Sequence, residues 1–451
     1  MEPDVVEHRK GAETHRHARE QRMRRGSVSA LAARLVSLIA GFASVPILLH
    51  HLGTERFGVW ATITSLTFLL AFADLGLSNG VVNAVADADA TDDRVRMSRD
   101  VSSVLLVLSA AGFALMPLFF LLEQFMDVTD LVGRQAGIPP REVRSALLAF
   151  VTCLAIGLPL GIVVRIQMGL QQTAVAYAWI ALGSVLGLLA MLIAVAMDAG
   201  LGGVVLATTG GPVVAAAINA VVLFGRSCPW LRPRWHHVSW AAASLLMRAG
   251  GLWLVIQCAT AVSYQSDALI ISHILGADAV TAYTVPMRLF LFMPALMTFA
   301  LLPLWPAIRS ALARDEVQWV RQATYRMAAI AAIAVLVPTA FLLWAAPPII
   351  DVWTGGQVEA SAALLRVLAL WALTTCLVTP LAFLLAGLDA LRFILITNVC
   401  NAIVNLALSI PLAYAIGIEG VALGTVIANV TCIILPSLWY LPRLFARLAP
   451  A

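Results

Sequence analysis

Residues 52–60 read LGTERFGVW, and they join two apolar runs that are each long enough to cross a bilayer. A hydrocarbon core of about 30 Å needs about 20 apolar residues in a helix. The turn therefore predicts a hairpin of two membrane helices. Gly53 suits a left-handed residue that ends the first helix, and Glu55 suits the positively polarised start of the second.

The same turn recurs in the second half of the chain. Residues 275–283 read LGADAVTAY and share the pattern Leu-Gly-small-acid-x-apolar-x-x-aromatic at an offset of 223 residues. A second motif, Gly-x-x-Gly-Val-x-Leu-x-Thr, occurs at 200–208 and at 417–425, an offset of 217 residues. The two offsets indicate a duplicated chain. The aromatic residues that close the turn motif, Trp60 and Tyr283, are expected at the membrane interface, where they shape the hairpins.

Composition sets the class of protein. Of 451 residues, 61% are hydrophobic and 12% are charged, and the mean hydropathy is +0.90. Soluble domains carry about 25% charged residues, so a soluble enzyme, a disordered protein and a coiled coil are excluded. Long unbroken apolar runs do not fit the alternating pattern of a membrane barrel. Six cysteines without paired spacing indicate neither a disulfide framework nor a zinc site. The sequence therefore predicts an all-α polytopic membrane protein.

Apolar runs of suitable length predict about twelve membrane helices. They lie at residues 27–50, 57–80, 101–122, 144–164, 174–197, 201–224, 244–270, 280–304, 326–346, 361–386, 393–415 and 418–441. Six spans per half is an even number, so the halves enter the membrane from the same side and form parallel repeats. The spans leave 22 basic residues on the side that holds both termini and four on the other side. By the positive-inside rule, both termini are cytoplasmic.

The same spans divide the chain into five segments. We expect a disordered basic tail, an N-lobe of six spans, a cytoplasmic linker, a C-lobe of six spans and a short cytoplasmic tail, at residues 1–26, 27–226, 227–243, 244–441 and 442–451. Parallel halves suit a transporter that rocks one lobe against the other about a site between them.

Three stretches of the first half are similar to the opening of the polysaccharide-biosynthesis flippases: 45–49 (VPILL), 52–60 and 74–77 (DLGL). Residues 264–271 (YQSDALII) resemble the start of the second half of those proteins. They are the O-antigen (Wzx-type) exporters of the multidrug/oligosaccharidyl-lipid/polysaccharide superfamily. The resemblance implies a two-lobed, MATE-like fold in a bacterial inner membrane, with no cofactor. It implies a sugar chain on a polyprenyl pyrophosphate as substrate, and a polysaccharide polymerase and chain-length machinery as partners.

Ionisable residues inside membrane spans are costly and mark candidate functional sites. The sequence has five, namely Arg34, Asp74, Asp267, Arg288 and Arg366. Counting residues from the two turns places Arg34 and Asp74 at a similar depth and places Asp267 near Arg288. Each half is thus expected to hold one Arg–Asp pair. Such a pair either switches partner when an anionic head group or a proton arrives, or stays fixed and locks the hairpin. Breaking a buried pair typically costs about 3–5 kcal/mol.

Further polar residues extend the candidate site. Arg366 begins the tenth span, where its side chain either snorkels to the interface or faces the lumen. Span eleven carries three asparagines on one helix face, at spacings of 3, 4 and 7: Asn398, Asn401 and Asn405. They bind either sugar hydroxyls or neighbouring helices. Gln257 and Gln265 are weaker candidates. Arginine suits a pyrophosphate because it forms bidentate hydrogen bonds.

Two other functions remain as alternatives. A cation-coupled multidrug exporter of the same fold needs a protonatable carboxylate, for which Asp74 is the candidate in the first lobe. A membrane glycosyltransferase or polymerase needs an acidic and Arg-rich outer loop, for which residues 123–143 are the candidate. The sequence carries no phosphate-binding loop and no nucleophile arrangement, so a transporter is expected and not an enzyme. Adjacent histidine pairs without nearby carboxylates indicate no metal site, and we expect no nucleic-acid partner.

Overall fold

The described residues of the first half form six helical elements, and Gly53 divides the first of them into two helices. The computed structural model describes residues 3–68, 74, 76–125, 127–132, 137–301, 308, 317–388 and 390–448, in which every regular element is helical. The helices of the first half are α1 (Pro3–Ser65), α2 (Leu77–Ala90), α3 (Arg94–Phe125), α4 (Pro140–Gly169), α5 (Thr173–Ala196) and α6 (Leu201–Val222).

A linker of short turns leads to the second half. It consists of a π-helical segment and two 3-10 turns, at Leu223–Ser227, Pro229–Leu231 and Trp235–His237. The helices that follow are α7 (Trp240–Leu275), α8 (Ala277–Phe290), α9 (Phe292–Leu301), α10 (Val317–Thr354), α11 (Ala362–Gly387), α12 (Leu391–Ile416), α13 (Ile418–Ala428) and α14 (Leu435–Leu448). A π-helical segment, Asn429–Ile434, joins α13 to α14.

Ten helices in the described part of the chain are long and apolar enough to cross a membrane. The predicted spans 57–80 and 280–304 do not count among them as separate helices. The first continues α1 past Gly53 to Ser65, and regular helix resumes at Leu77. The second is divided between α8 and α9. At this division Leu291 keeps helical backbone angles, and its amide bonds to the carbonyl of Met287, so the second half has no break like the one before Leu77.

The structure differs from the sequence prediction at both ends of the chain. Helix α1 begins at Pro3, so the backbone is helical in the tail for which the sequence predicts disorder. Glu, Arg, Gln and Ala, which favour helix, are frequent in this segment. Helix α14 runs to Leu448, seven residues past the predicted end of the last span.

The two repeated turns have the same backbone conformation. Gly53 has φ 74° and ψ 174°, and Gly276 has φ 90° and ψ 175°. The prediction of a positive φ is confirmed, but the ψ values place both residues outside the left-handed helical region. They lie in an extended region that is open essentially only to glycine. In each half the chain therefore reverses at one glycine, without a longer loop.

The two lobes touch at the end of the molecule that carries these turns, here called the glycine-turn end. A β-carbon on Gly58 of α1 would lie 1.9 Å from the carbonyl oxygen of Ala277. The Thr281 hydroxyl donates a hydrogen bond of 2.6 Å to the carbonyl of Thr54. One buried apolar cluster includes Phe57 of the N-lobe and Phe290 of the C-lobe. The lobes are therefore closed against each other at this end.

Candidate substrate site

A cavity of about 750 Å³, here called the central cavity, lies where α1 of the N-lobe faces the C-lobe. Helices α7, α8, α11 and α12 form most of its wall, and α1 closes one side. Four of the predicted site residues line it: Arg34, Asp267, Arg288 and Asn398. Gln265 also lines it, whereas Asp74, Arg366, Asn401 and Asn405 lie outside its lining. The volume is within the range of small-molecule sites.

Arg288 reaches from α8 of the C-lobe to α1 of the N-lobe. Its Nη1 donates a hydrogen bond of 2.7 Å to the carbonyl of Gly41 and lies 3.4 Å from the Ser44 hydroxyl. The guanidinium carbon is 5.2 Å from the centre of the Trp60 ring, which is within cation–π range. Pro46 has no amide hydrogen, so the carbonyl that loses its helical donor is that of Phe42, next to Gly41.

Asp267 of α7 is paired with a tyrosine and not with Arg288. Its Oδ2 accepts a hydrogen bond of 2.7 Å from the Tyr283 hydroxyl, and its side chain is almost fully buried. No nitrogen–oxygen distance of 4.0 Å or less joins Asp267 and Arg288. The ion pair that the sequence predicts for the second half is therefore absent.

Helix geometry explains this difference. A helix rises about 1.5 Å and turns about 100° per residue. Counted from Gly276, Asp267 and Tyr283 differ in height by about 3 Å, and Asp267 and Arg288 by about 4.5 Å. Tyr283 and Arg288 are five residues apart, so their side chains leave α8 about 140° from each other. Tyr283 faces α7, and Arg288 faces α1.

The predicted pair of the first half is also absent. Asp74 precedes α2, and its Oδ1 accepts a hydrogen bond of 2.9 Å from the backbone amide of Ser78. Arg34 is exposed on α1 and forms no ion pair with Asp74. The predicted depth of Asp74 assumes one continuous helix over residues 57–80, whereas the regular helix is interrupted before Leu77. Asp74 therefore stabilises the start of α2, where unpaired backbone amides need acceptors.

The three asparagines of α12 divide between two environments. Asn398 lines the central cavity, where its Oδ1 lies 3.2 Å from the Thr260 hydroxyl. Asn401 is buried and donates a hydrogen bond of 3.1 Å to Asn429. Asn405 is buried and donates one of 2.7 Å to Thr425. The last two therefore join α12 to the final span, and only the first faces the cavity.

Charged residues near the membrane surface are engaged locally. Arg366 is exposed in the second turn of α11 and donates a hydrogen bond of 3.0 Å to the carbonyl of Ala362. At the two ends of the segment 123–143, which the sequence predicts to be an outer loop, Glu123 in the last turn of α3 pairs with Arg144 of α4 at 2.6 Å. Glu142 pairs with Arg56 at 2.9 Å. These contacts join α3 and α1 to the start of α4, which is a structural role for Glu123 and Glu142.

Sequence reasoning misplaced two residues of the site. Trp60 and Tyr283 were expected at the membrane interface, but their exposed fractions are 5% and 3%. Each lies seven residues past a glycine turn, which is about 10 Å along the helix and below the interface. Trp60 donates a hydrogen bond of 3.2 Å to Thr208 and stands beside Arg288. Trp60 and Tyr283 occupy equivalent positions in the two halves, and this equivalence was the sequence signal that could have identified both as site residues.

Comparison with known proteins gives a family and a curated relative. The family described as polysaccharide biosynthesis protein matches residues 23–312. A candidate O-antigen export protein from Yersinia pseudotuberculosis is 37% identical over 95 residues. That alignment covers 21% of this chain and 20% of the relative, so the chain matches about a fifth of the curated protein.

Solved transporter structures have the same fold. An inward-facing multidrug resistance MATE family transporter of the MOP superfamily has a TM-score of 0.79 at 16% identity, covering 93% of this chain and 98% of that one. An outward-facing MATE transporter has a TM-score of 0.62 at 19% identity, covering 95% and 96%. A MOP superfamily transporter from Pyrococcus furiosus, described as having a binding pocket of reverse polarity, has a TM-score of 0.65 at 17% identity, covering 96% of this chain and 97% of that one. The chain therefore shares the fold of these solved structures.

Proposed function

We propose that this chain, which belongs to the polysaccharide biosynthesis protein family, moves a polyprenyl-pyrophosphate-linked oligosaccharide from the inner to the outer leaflet of a bacterial inner membrane. The observation that carries the proposal is Arg288, a cation in the wall of the central cavity without an acidic partner in the described residues. A guanidinium binds phosphate oxygens through paired hydrogen bonds. A diphosphate is therefore a suitable counter-ion.

The polar wall of the central cavity supports a glycan as the second part of the substrate. Four buried atoms in this wall have no hydrogen-bond partner in the described part of the chain: Asp267 Oδ1, Thr284 Oγ1, Trp371 Nε1 and Thr375 Oγ1. Buried polar groups are normally paired, so such atoms are available to a ligand. Sugar hydroxyls both donate and accept hydrogen bonds, and they match this mixture of donors and acceptors.

The mechanism we propose is alternating access of the two lobes. Residues 27–226 and 244–441 move as units joined by the linker 227–243, and each state is closed at one end of the molecule. The arginine distribution supports cytoplasmic termini, which places the glycine-turn end on the outer side. We infer that the closed contact between Gly58 and Ala277 belongs to the state that loads substrate from the inner leaflet, in which the lobes still meet beside the linker, where a β-carbon on Gly250 would lie 2.0 Å from the carbonyl oxygen of Gly76. A polysaccharide polymerase and its chain-length machinery receive the product.

A deletion strain tests the proposal. Lipid-linked saccharides are profiled by mass spectrometry together with the surface polysaccharide, before and after complementation with the intact gene. We expect polyprenyl-linked oligosaccharide to accumulate and surface polymer to be lost in the deletion strain. Complementation with Arg288→Ala should leave the defect in place, and Arg288→Lys should restore part of the surface polymer because it keeps the charge without the planar fork.

Arg366→Ala is the matched control, because it removes an arginine that lies on the same lobe but outside the cavity lining. It should restore the surface polymer at the same protein level. An unchanged saccharide profile in the deletion strain would overturn the proposal. Equal rescue by Arg288→Ala and Arg366→Ala would remove Arg288 from the mechanism.

A cation-coupled multidrug exporter is the second candidate, and Asp267 is the observation in its favour. A buried carboxylate with one unpartnered oxygen at a cavity is a suitable site for a proton or a metal cation. Asp267 thereby replaces Asp74, whose carboxylate stabilises a helix start. Drug-susceptibility panels on the deletion strain decide between the two, because only the exporter predicts increased susceptibility with a normal saccharide profile.

A further inference from the structure

A second cavity of about 370 Å³, here called the side cavity, shares Arg288 and Leu291 with the central cavity and is otherwise lined by different residues. Helices α1, α5 and α6 of the N-lobe form most of its wall, and Arg288, Leu291 and Phe292 close it from the C-lobe. An apolar cavity of about 150 Å³ already accommodates a benzene molecule. The side cavity is therefore large enough for a branched hydrocarbon segment.

The wall of the side cavity is chemically apolar although it contains four hydroxyl groups. The Ser37 and Ser184 hydroxyls bond to each other at 2.7 Å. The Ser44 hydroxyl donates to the carbonyl of Gly41 at 2.8 Å. The Thr208 hydroxyl donates to the carbonyl of Val204 at 2.9 Å and accepts from Trp60. Because the protein already uses every one of these groups, the surface offered to a ligand is hydrocarbon.

Arg288 is thus a boundary between two unlike cavities. On one side lie the unpartnered polar atoms of the central cavity, and on the other side lies the apolar wall formed by α1, α5 and α6. A ligand that fits both sides has a polar head, an anionic junction and a hydrocarbon tail. We propose that the side cavity holds the first isoprene units of the lipid carrier, which rests on the proposed function of the Arg288 site.

We expect the side cavity to fix the position of the lipid tail and to add little to the binding affinity of the substrate. Membrane lipid is as apolar as the cavity wall, so moving hydrocarbon from one to the other gains little free energy. The gain is geometric, because a tail held by α1 and α5 aligns the diphosphate with the guanidinium and directs the glycan towards the C-lobe. The decisive measurement is therefore where the tail lies.

Photolabelling of the full chain in lipid nanodiscs provides this measurement. The probe is farnesyl diphosphate with a diazirine on its first isoprene unit, and labelled peptides are identified by mass spectrometry. We expect label in residues 37–44 and 183–191, which line the side cavity. The variant Gly41→Leu should lose this label, because Gly41 lines the cavity and a β-carbon there meets no neighbouring atom, so the added side chain takes up cavity volume.

The matched control is Gly251→Leu, which also meets no neighbouring atom but lies outside both cavities. It should keep the label of the wild-type protein. Label confined to other helices, or unchanged label in Gly41→Leu, overturns the tail site. If the labelling result overturns the tail site, binding of inorganic diphosphate shows whether the proposed function fails with it. If diphosphate still binds in an Arg288-dependent manner, the tail site alone fails; if it does not bind, both fail.

Discussion

The close approach of the lobes at Gly58 gives a quantitative prediction for Gly58→Ala. The new methyl group would lie 1.9 Å from the Ala277 carbonyl oxygen, and real contacts of this kind are not shorter than 3.0 Å. The two helices must therefore separate locally by at least about 1.1 Å, because the opposing atom belongs to the backbone. Overpacking of this kind costs about 1–3 kcal/mol. That cost lowers the equilibrium ratio of closed to open glycine-turn ends about 5- to 150-fold.

Spin labels across the glycine-turn end measure this change. Met197 at the end of α5 and Gln357 beyond α10 are exposed, and they belong to different lobes. Both are replaced by cysteine in a background that lacks the three cysteines that are not fully buried, which are Cys258, Cys400 and Cys432. Double electron–electron resonance in nanodiscs should show a shift from the shorter to the longer distance in Gly58→Ala.

Gly251→Ala is the control for the chemical change itself, because its added methyl group meets no neighbouring atom. It should reproduce the distance distribution of the unmodified chain. If Gly58→Ala gives the same distribution as this control, the lobes are not held together by the contact between α1 and α8. The interpretation of the glycine-turn end as a closed gate would then be refuted.

Three further predictions concern the polar contacts of the two lobes. Gln167 and Asn219 exchange buried hydrogen bonds of 2.7 and 3.1 Å, so Gln167→Ala should destabilise the protein by about 1–3 kcal/mol. Adding Asn219→Leu should recover part of the loss in thermal unfolding, and a larger loss in the double variant would contradict this reasoning. Asn405→Ala and Thr425→Val should show a coupling of about 0.6 kcal/mol in a double-mutant cycle. Strict additivity would exclude the contact. Arg366→Gln should change transport of the lipid-linked substrate less than twofold, because that side chain bonds only to its own helix in the described residues; a loss comparable to that of Arg288→Ala would place it in the pathway.

The sequence could predict the membrane class, the repeat and most of the spans. Composition alone excludes a soluble chain, and the length of each apolar run is tied directly to bilayer thickness. The turn motif also carried reliable information, because a Leu-Gly pair followed by an acid occurs where a hairpin reverses. Gly53 and Gly276 adopt the same rare backbone conformation, which a residue with a β-carbon resists. A backbone conformation that depends on one residue type can therefore be predicted from the sequence.

Partners of the charged side chains could not be predicted by the same route. The sequence gives depth along a helix, but contact also depends on the direction in which each side chain leaves its helix. Asp267 and Arg288 lie at similar depths, but their side chains face different helices. Tyr283 lies at a similar depth to Asp267 and also faces it, so the two form a hydrogen bond. The predicted pair of Asp74 with Arg34 is wrong for another reason. The helix is interrupted before α2, so the number of residues from Gly53 does not give the depth of Asp74 in the membrane. Counting residues along a predicted span gives the depth of a side chain only where the helix is regular.

The charge of the central cavity favours an anionic lipid-linked substrate over a cationic drug. The charged groups in its described lining are two arginines, Arg34 and Arg288, and one carboxylate, Asp267. That carboxylate is already bonded to Tyr283, whereas Arg288 has only neutral partners. Two unit charges 4 Å apart interact by about 4 kcal/mol near a protein surface. A cationic drug beside Arg288 meets repulsion of that order, and a diphosphate meets attraction. Because the apolar side cavity adjoins the same arginine, one ligand with a sugar head, a diphosphate and an isoprenoid tail accounts for all three surfaces.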